Sequence, residues 1–218
     1  HYRAYNIATS GFGKGFWNYN SGVNELFGFT SMWNYVGLLL DYESNDFGLW
    51  GAQLHHNYVN LKIIGGNNVS INKPTIEGSP FGIVIHDGSA QVPFHVSLRN
   101  VYSEANTTSI IRIGADEDDN VSTYPIVNVG IDGFRASGAP TEKIGLYHCD
   151  NILLQNVPAN IGDLVSTTDD TSNVRILSNL YNAKHFSEKK SFDNNVGVQH
   201  PYNLLPNGNN QFPSFNQW

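Results

Sequence analysis

Among 218 residues there is a single cysteine, Cys149, so the chain has neither an internal disulfide framework nor a Cys-rich zinc site. Charge is scarce at 14% of residues, and 12 Lys and Arg against 19 Asp and Glu leave a formal net charge of −7. A binder of duplex nucleic acid needs a basic footprint, which excludes that class. No apolar run reaches the ~18–20 residues of a membrane-spanning helix, so membrane insertion is not expected. Lys and Glu, which build helix surfaces, are few, whereas the turn formers Asn and Gly number 28 and 21. A mainly helical protein does not fit this composition. The length suits one domain with a substantial core, or an all-β body with a short appendage.

What the sequence does contain is a repeat. Asn34-Tyr35-Val36-Gly37-Leu38-Leu39-Leu40 recurs 23 residues on as Asn57-Tyr58-Val59-Asn60-Leu61-Lys62-Ile63. The apolar triplet continues as Ile83-Val84-Ile85 and Ile111-Arg112-Ile113, with looser copies at Gly145-Leu146-Tyr147 and Asp163-Leu164-Val165. A second column interleaves with this first one: Asn68-Val69-Ser70-Ile71, His95-Val96-Ser97-Leu98, Asn128-Val129-Gly130-Ile131, Asn151-Ile152-Leu153-Leu154 and Asn173-Val174-Arg175-Ile176. Each copy alternates with period 2, as a half-buried strand does, and turn residues bound it. Short strands repeating every 22 to 33 residues in two columns describe a coil of parallel strands rather than hairpins. The fold expected is all-β, a right-handed parallel β-helix with a short irregular C-terminal segment. In it, inward Val, Ile and Leu stack from coil to coil, and Asn68, Asn128, Asn151 and Asn173 form a corner ladder. A β-propeller is the main rival, and its four strands per ~40–50 residues fit the spacing less well.

The β-helix is expected over residues 1–180, with 1–33 as irregular first rungs. Residues 181–218 read as a linker or cap leading into a truncated module. The chain begins with His1 rather than Met, which suggests a processed product or an excised fragment.

The columns from Asn34 to Leu180, rich in Asn, Gly and aromatics, resemble the right-handed β-helix of bacteriophage tailspikes and the wider pectate-lyase-like group. The segment Asn203-Leu204-Leu205-Pro206-Asn207-Gly208 looks like the start of the jelly-roll modules that follow such bodies in phage tail proteins. No calcium cluster or catalytic arginine signature of pectate lyases is recognisable. The resemblance implies a homotrimer in the extracellular virion tail, joined to other phage tail proteins, that binds and often depolymerises a bacterial surface polysaccharide. No cofactor and no metal site is expected. The 12 Phe, 11 Tyr and 4 Trp exceed what a narrow interior holds, so several face outward, chiefly as trimer packing and in part as sugar platforms.

Glycoside hydrolysis usually takes two carboxyl groups at short range. Equivalent positions on neighbouring coils supply such pairs. Glu77 lies six residues after Ile71 and Glu104 six after Leu98; Asp116 lies three after Ile113 and Asp150 three after Tyr147. Both pairs are catalytic candidates, with hydrolysis favoured over elimination. His86 and His148 border the Asp116/Asp150 corner and, with Asp87, Tyr147, Arg112 and Arg135, are candidates for substrate binding, the arginines for an acidic sugar. The plain alternative is that an Asp-rich corner is a set of solvated turns. Cys149 beside His148 is expected to be a small core or turn residue rather than a nucleophile. The competing functions are a structural or adhesive stem without activity, a secreted polysaccharide lyase, and a copper monooxygenase of the lytic polysaccharide type built on His1.

Overall fold

The computed structural model describes residues 2–19, 24–88, 91–157, 165–168 and 170–177, and a strand at 196–198. These residues form strands and turns only, wound as a three-faced parallel solenoid. Strands are numbered in chain order. The first face stacks β1 (Tyr2–Tyr5), β4 (Asn24–Phe27), β7 (Phe47–Trp50), β10 (Asn67–Asn72), β13 (Phe94–Glu104), β15 (Ile126–Ser137), β17 (Cys149–Gln155), β19 (Ser172–Leu177) and β20 (Val196–Val198). On the second face lie β2 (Ala8–Ser10), β5 (Thr30–Met32), β8 (Gln53–His55), β11 (Thr75–Glu77) and the C-terminal parts of β13 and β15. The third holds seven strands: β3 (Lys14–Tyr19), β6 (Val36–Asp41), β9 (Val59–Ile63), β12 (Phe81–Ile85), β14 (Ser109–Ile113), β16 (Glu142–Leu146) and β18 (Val165–Thr167).

All pairings between these strands are parallel and in register. Val69, Val96, Val129, Ile152 and Val174 lie one above another on the first face, as do Leu49, Ile71, Leu98, Ile131 and Leu154. Across the interior, Leu38, Leu61, Ile83, Ile111 and Ile144 form the matching pile on the third face. These side chains are fully buried, and each contributes about 1.5–3 kcal/mol of burial energy. The second column is thus the first face in its true register. Within 1–33, expected to be irregular first rungs, the described strands pair in register, with β1 on β4, β2 on β5 and β3 on β6.

The first column slips by one residue after Ile113. Ile111 pairs with Ile144 and Ile113 with Leu146, so the true copy is Ile144-Gly145-Leu146 and the next is Val165-Ser166-Thr167. Asp163 and Leu164 lie outside the described residues, as does the segment 181–218 apart from β20. The second face was not expected at all. Its strands offer one inward residue per coil (Ser31, Leu54, Ile76, Ser103, Ala136), too short a stretch for alternation to register.

Corners explain the Asn content. Where the first face begins, Asp46, Asn68, His95, Asn128, Asn151 and Asn173 all have φ between 50° and 59°. Asn and Asp tolerate this left-handed conformation better than other side-chain-bearing residues. The expected vertical amide contacts are present in part: Asn68 donates to Asp46 Oδ1 at 3.0 Å and Asn151 to Asn128, but Asn173 donates to Asp150 at 2.6 Å. The corner between the first and second faces also turns left-handed wherever it is described, at Asn6, Gly28, Gly51, Lys73, Asn100, Gly133 and Asn156. At Gly133 (φ 74°) a Cβ would stand 2.7 Å from Asn100 Oδ1 below it, so glycine is needed there.

A buried polar ladder closes the remaining corner. Asn34 Oδ1 accepts the Phe12 N–H (2.7 Å), Asn57 Oδ1 the Asn34 N–H (2.9 Å) and Asn106 Oδ1 the Ser79 N–H (3.2 Å). Asn57 Nδ2 donates to the Ser31 carbonyl on the neighbouring coil and to Asn60 Oδ1 on its own, beside the backbone bond from Tyr58 to Asn34. We expect Asn57→Leu to orphan these buried groups and destabilise the fold by about 1–3 kcal/mol in urea unfolding. An unchanged midpoint would remove the ladder from the account of stability.

Candidate functional site

The second face carries the strongest constellation. Register places His55 beside Glu77, Glu77 beside Glu104 and Glu104 beside Ser137 in one outward file. The adjacent file runs Gln53, Thr75, Tyr102, Arg135. The expected stacking of Glu77 on Glu104 is therefore present, at one strand spacing of ~4.8 Å between backbones. Glu104 Oε2 accepts a hydrogen bond from the Tyr102 hydroxyl at 2.8 Å. That bond, then the Glu104 charge, pushes the phenol pKa up from its ordinary value. At the upstream end of the file, His55 Nδ1 and His56 Nδ1 stand 3.3 Å apart, and the His56 ring lies 4.7 Å from that of Trp33. Trp33 is 63% exposed, and both it and His56 are held at left-handed φ, 58° and 55°. The result is an open, shallow face with two vertical carboxylates, a phenol, an arginine and an indole. Beside it an open groove of about 710 Å³ runs along the corner past Asn100, Tyr102, Asp132, Arg135 and Asn156.

Asp116 and Asp150, by contrast, do not stack. With Ile113 opposite Leu146, the residue three after Ile113 has no counterpart in Asp150, which lies in β17 beside Val127. A one-residue slip of frame moves a side chain to the other face, and here the loop from Ala115 to Val121 widens the gap further. Asp116 folds back on that loop: its carboxylate accepts the Asp118 and Asn120 backbone N–H groups, each at 2.9 Å, and the Asn120 amide. Burial alone would raise the Asp116 pKa, yet these bonds carry it below the usual carboxylate range. Asp150 is held low as well, first by the Ser172 hydroxyl and then by the Asn173 amide, against burial. Neither carboxyl is prepared to donate a proton near neutrality.

The remaining candidates gather around the same loop on the third face. Arg112 donates to Glu142 Oε2 (3.1 Å), to the Asp116 carbonyl (2.9 Å) and to Asp119 Oδ1 (2.6 Å). Lys62 reaches Glu117 at 2.6 Å, two coils back, so the acidic loop is strapped down across the sheet. Asp87 Oδ2 accepts the Thr123 and Tyr124 N–H groups, its Oδ1 lies 3.2 Å from His86 Nε2, and Ser122 Oγ accepts the Asp87 N–H. His148 Nδ1 meets the Ser122 carbonyl at 2.8 Å. His86, Asp87, Arg112 and His148 thus brace this loop, and only Arg135 of the proposed binding residues opens onto the face with Glu77 and Glu104.

Sequence reasoning missed Glu142, the hub that accepts from Arg112, Ser166 and the Tyr147 hydroxyl. Its carboxylate lies over Gly145, where any Cβ would collide with it. The signal was the register itself, which the slipped frame hid. Tyr102, His55, His56 and Trp33 were missed because the second face was. Cys149 is buried against Thr171 Oγ1 at 3.7 Å, and burial drives its pKa to about 12, so it is a core residue and not a nucleophile. His1, the residue on which a copper brace would depend, lies outside the described residues.

Burial, then the bond to Glu142, raises Tyr147 to about 12. A folded value above the unfolded ~10 means a contribution present below pH ~10 and lost as pH climbs through 12. Ultraviolet titration should show a tyrosine phase near 12 that moves toward ~10 in Glu142→Gln; a late phase unchanged by Glu142→Gln, or no such phase, would refute the arrangement. Comparison of the chain with protein-family models, curated proteins and solved structures gives no match, so function is argued from this geometry alone.

Proposed function

We propose that this chain is the β-helical body of a bacteriophage tailspike or tail-fibre protein that binds a bacterial surface polysaccharide on its second face and hydrolyses it there. The observation that carries this reading is the in-register pair Glu77 and Glu104 on an open face, between exposed Trp33 and Tyr102. Indole and phenol faces stack on sugar C–H groups, and the Asn-lined groove supplies paired donors and acceptors for hydroxyls. Carboxyl groups ~5–5.5 Å apart act with retention: one protonates the glycosidic oxygen while the other attacks the anomeric carbon, and water then releases the covalent sugar. Vertical neighbours one strand spacing apart fall in that regime, not in the ~6.5–9.5 Å regime of inversion.

A structural role for part of the surface has its own observation. Tyr5, Phe27 and Trp50 are register partners on the first face, stacked at 5.0 and 6.1 Å with planes 11° and 10° apart. Rings that cover one another's faces leave edges outward, a stripe suited to subunit packing more than to sugar stacking. We assign the homotrimer contact to this stripe, with attachment to other tail proteins as its setting.

Purified protein incubated with capsular, wall and lipopolysaccharide preparations should release water-added oligosaccharides with retained anomeric configuration. Glu77→Gln and Glu104→Gln should each lower the rate on the order of 10²–10⁴-fold while polymer binding persists. Wild-type rates in both variants, or products short of two hydrogens per cleavage, would overturn the hydrolytic pair. Trp50→Glu should convert a trimer to 24.2 kDa monomers by light scattering; a monomeric wild type would remove the trimer.

A further inference from the structure

We infer that the polymer taken by the second face is polyanionic, and that Lys73, Arg99 and Arg135 form the edge that selects it; this rests on the polysaccharide reading above. Cations elsewhere in the described part of this acidic chain are largely committed. Arg3 pairs with Glu25, Lys62 with Glu117, and Arg112 with both Asp119 and Glu142, while Lys14 lies 3.6 Å over the Trp17 ring. Lys143 and Arg175 also lack an ion pair among the described residues, Arg175 donating to Asn151 Oδ1 at 3.5 Å, but they lie singly on the third and first faces. Lys73, Arg99 and Arg135 differ in being grouped. They occupy three successive coils around the corner between the first and second faces: Lys73 just after β10, Arg99 in β13 and Arg135 in β15. Each is exposed, and among the described residues none makes an ion pair, Arg99 donating only to Ser97 Oγ at 3.2 Å.

The acids nearby make no ion pair with them among the described residues and bond to neutral groups instead. Asp132 is the register partner of Arg99, but its carboxylate accepts the Asn156 amide at 2.6 Å. Glu104 is bonded to Tyr102, and Tyr102 is the register partner of Arg135. Tyr102 therefore stands between the free guanidinium on one side and the carboxylate pair on the other. A sugar ring on Tyr102 would meet Arg135 with an anionic substituent and Glu104 with its glycosidic oxygen. Glu77 and Glu104 by themselves repel a polyanion, and three unpaired cations along the adjoining edge offset that repulsion. A guanidinium fork grips a carboxylate or phosphate through two parallel bonds. A neutral polymer would cover the same group without replacing its lost water, so the edge discriminates by charge.

Binding should be measured by calorimetry with polygalacturonate, hyaluronan, polysialic acid and ribitol-phosphate teichoic acid, with methyl-esterified polygalacturonate and dextran as neutral probes. The carboxylated and phosphorylated polymers separate the two sources of negative charge. At least one anionic polymer should bind, and a bound polymer with a neutral counterpart should exceed it by roughly 10- to 100-fold. Raising salt should weaken the interaction steeply. Arg135→Ala should lose a similar factor, and Lys73→Asn/Arg99→Ala/Arg135→Ala should lose binding while melting as the wild type does; Asn suits the left-handed φ of position 73. Equal binding of neutral polymers, or wild-type affinity in the triple variant, would overturn the inference and leave the polysaccharide reading standing. No binding to any polymer, anionic, neutral or from the bacterial surface preparations, would overturn both.

Discussion

Each coil is held on the one before by backbone hydrogen bonds between parallel strands, and those bonds align only if every coil turns at the same places. The chain meets this constraint with left-handed residues that recur at the corners. Asp46, Asn68, His95, Asn128, Asn151 and Asn173 open the first face in one conformation, and Asn100 and Gly133 meet at the next corner. Loops of different length fit between corners without disturbing the stack. That is why the coil step can rise from 22 to 33 residues, as between His95 and Asn128, while Val96 still lies beside Val129. Core burial supplies the energy, but the corners decide which residues become vertical neighbours, and every feature of the candidate site is a vertical relation.

The sequence was legible where a strand is long enough to alternate and is headed by a residue with a backbone reason to be there. The first face satisfies both conditions, and its five Asn- or His-headed copies stand in the register read from them. The third face was legible down to Ile113. Beyond it, the apolar pair continues as Ile144 and Leu146 with Gly145 in the outward place of Arg112, but Leu146 and Tyr147 beside Gly145 offered a competing frame one residue late. A single step of error set Asp116 against Asp150, which the true register keeps apart, and concealed Glu142. The second face was illegible because three-residue strands with one inward side chain carry no periodicity. Glu77 and Glu104 were found nonetheless, since a fixed offset from the legible first face survives when the face they sit on is unknown.

The two charged surfaces differ in what their charges are spent on. Around the loop from Ala115 to Val121, nearly every ionic group has a protein partner, and Arg112 alone makes three bonds. Such a network fixes a long excursion against the outside of the sheet and leaves little for a ligand. On the second face the carboxylates are stacked, Tyr102 serves Glu104, and Arg135 is unpaired among the described residues. Groups left unsatisfied within the fold are available to a partner, which makes this face, rather than the more heavily charged one, the place to look for chemistry.

The register can be examined without any substrate. Parallel neighbours one strand spacing apart lie within the Cα separation that a disulfide spans, about 4.4–6.8 Å. In a Cys149→Ser background, Glu77→Cys combined with Glu104→Cys should crosslink on mild oxidation. Glu77→Cys combined with Arg135→Cys, two coils apart and in the other file, should not. Efficient closure of the first pair alone is the result this account requires; closure of the second pair, or of neither, would contradict it.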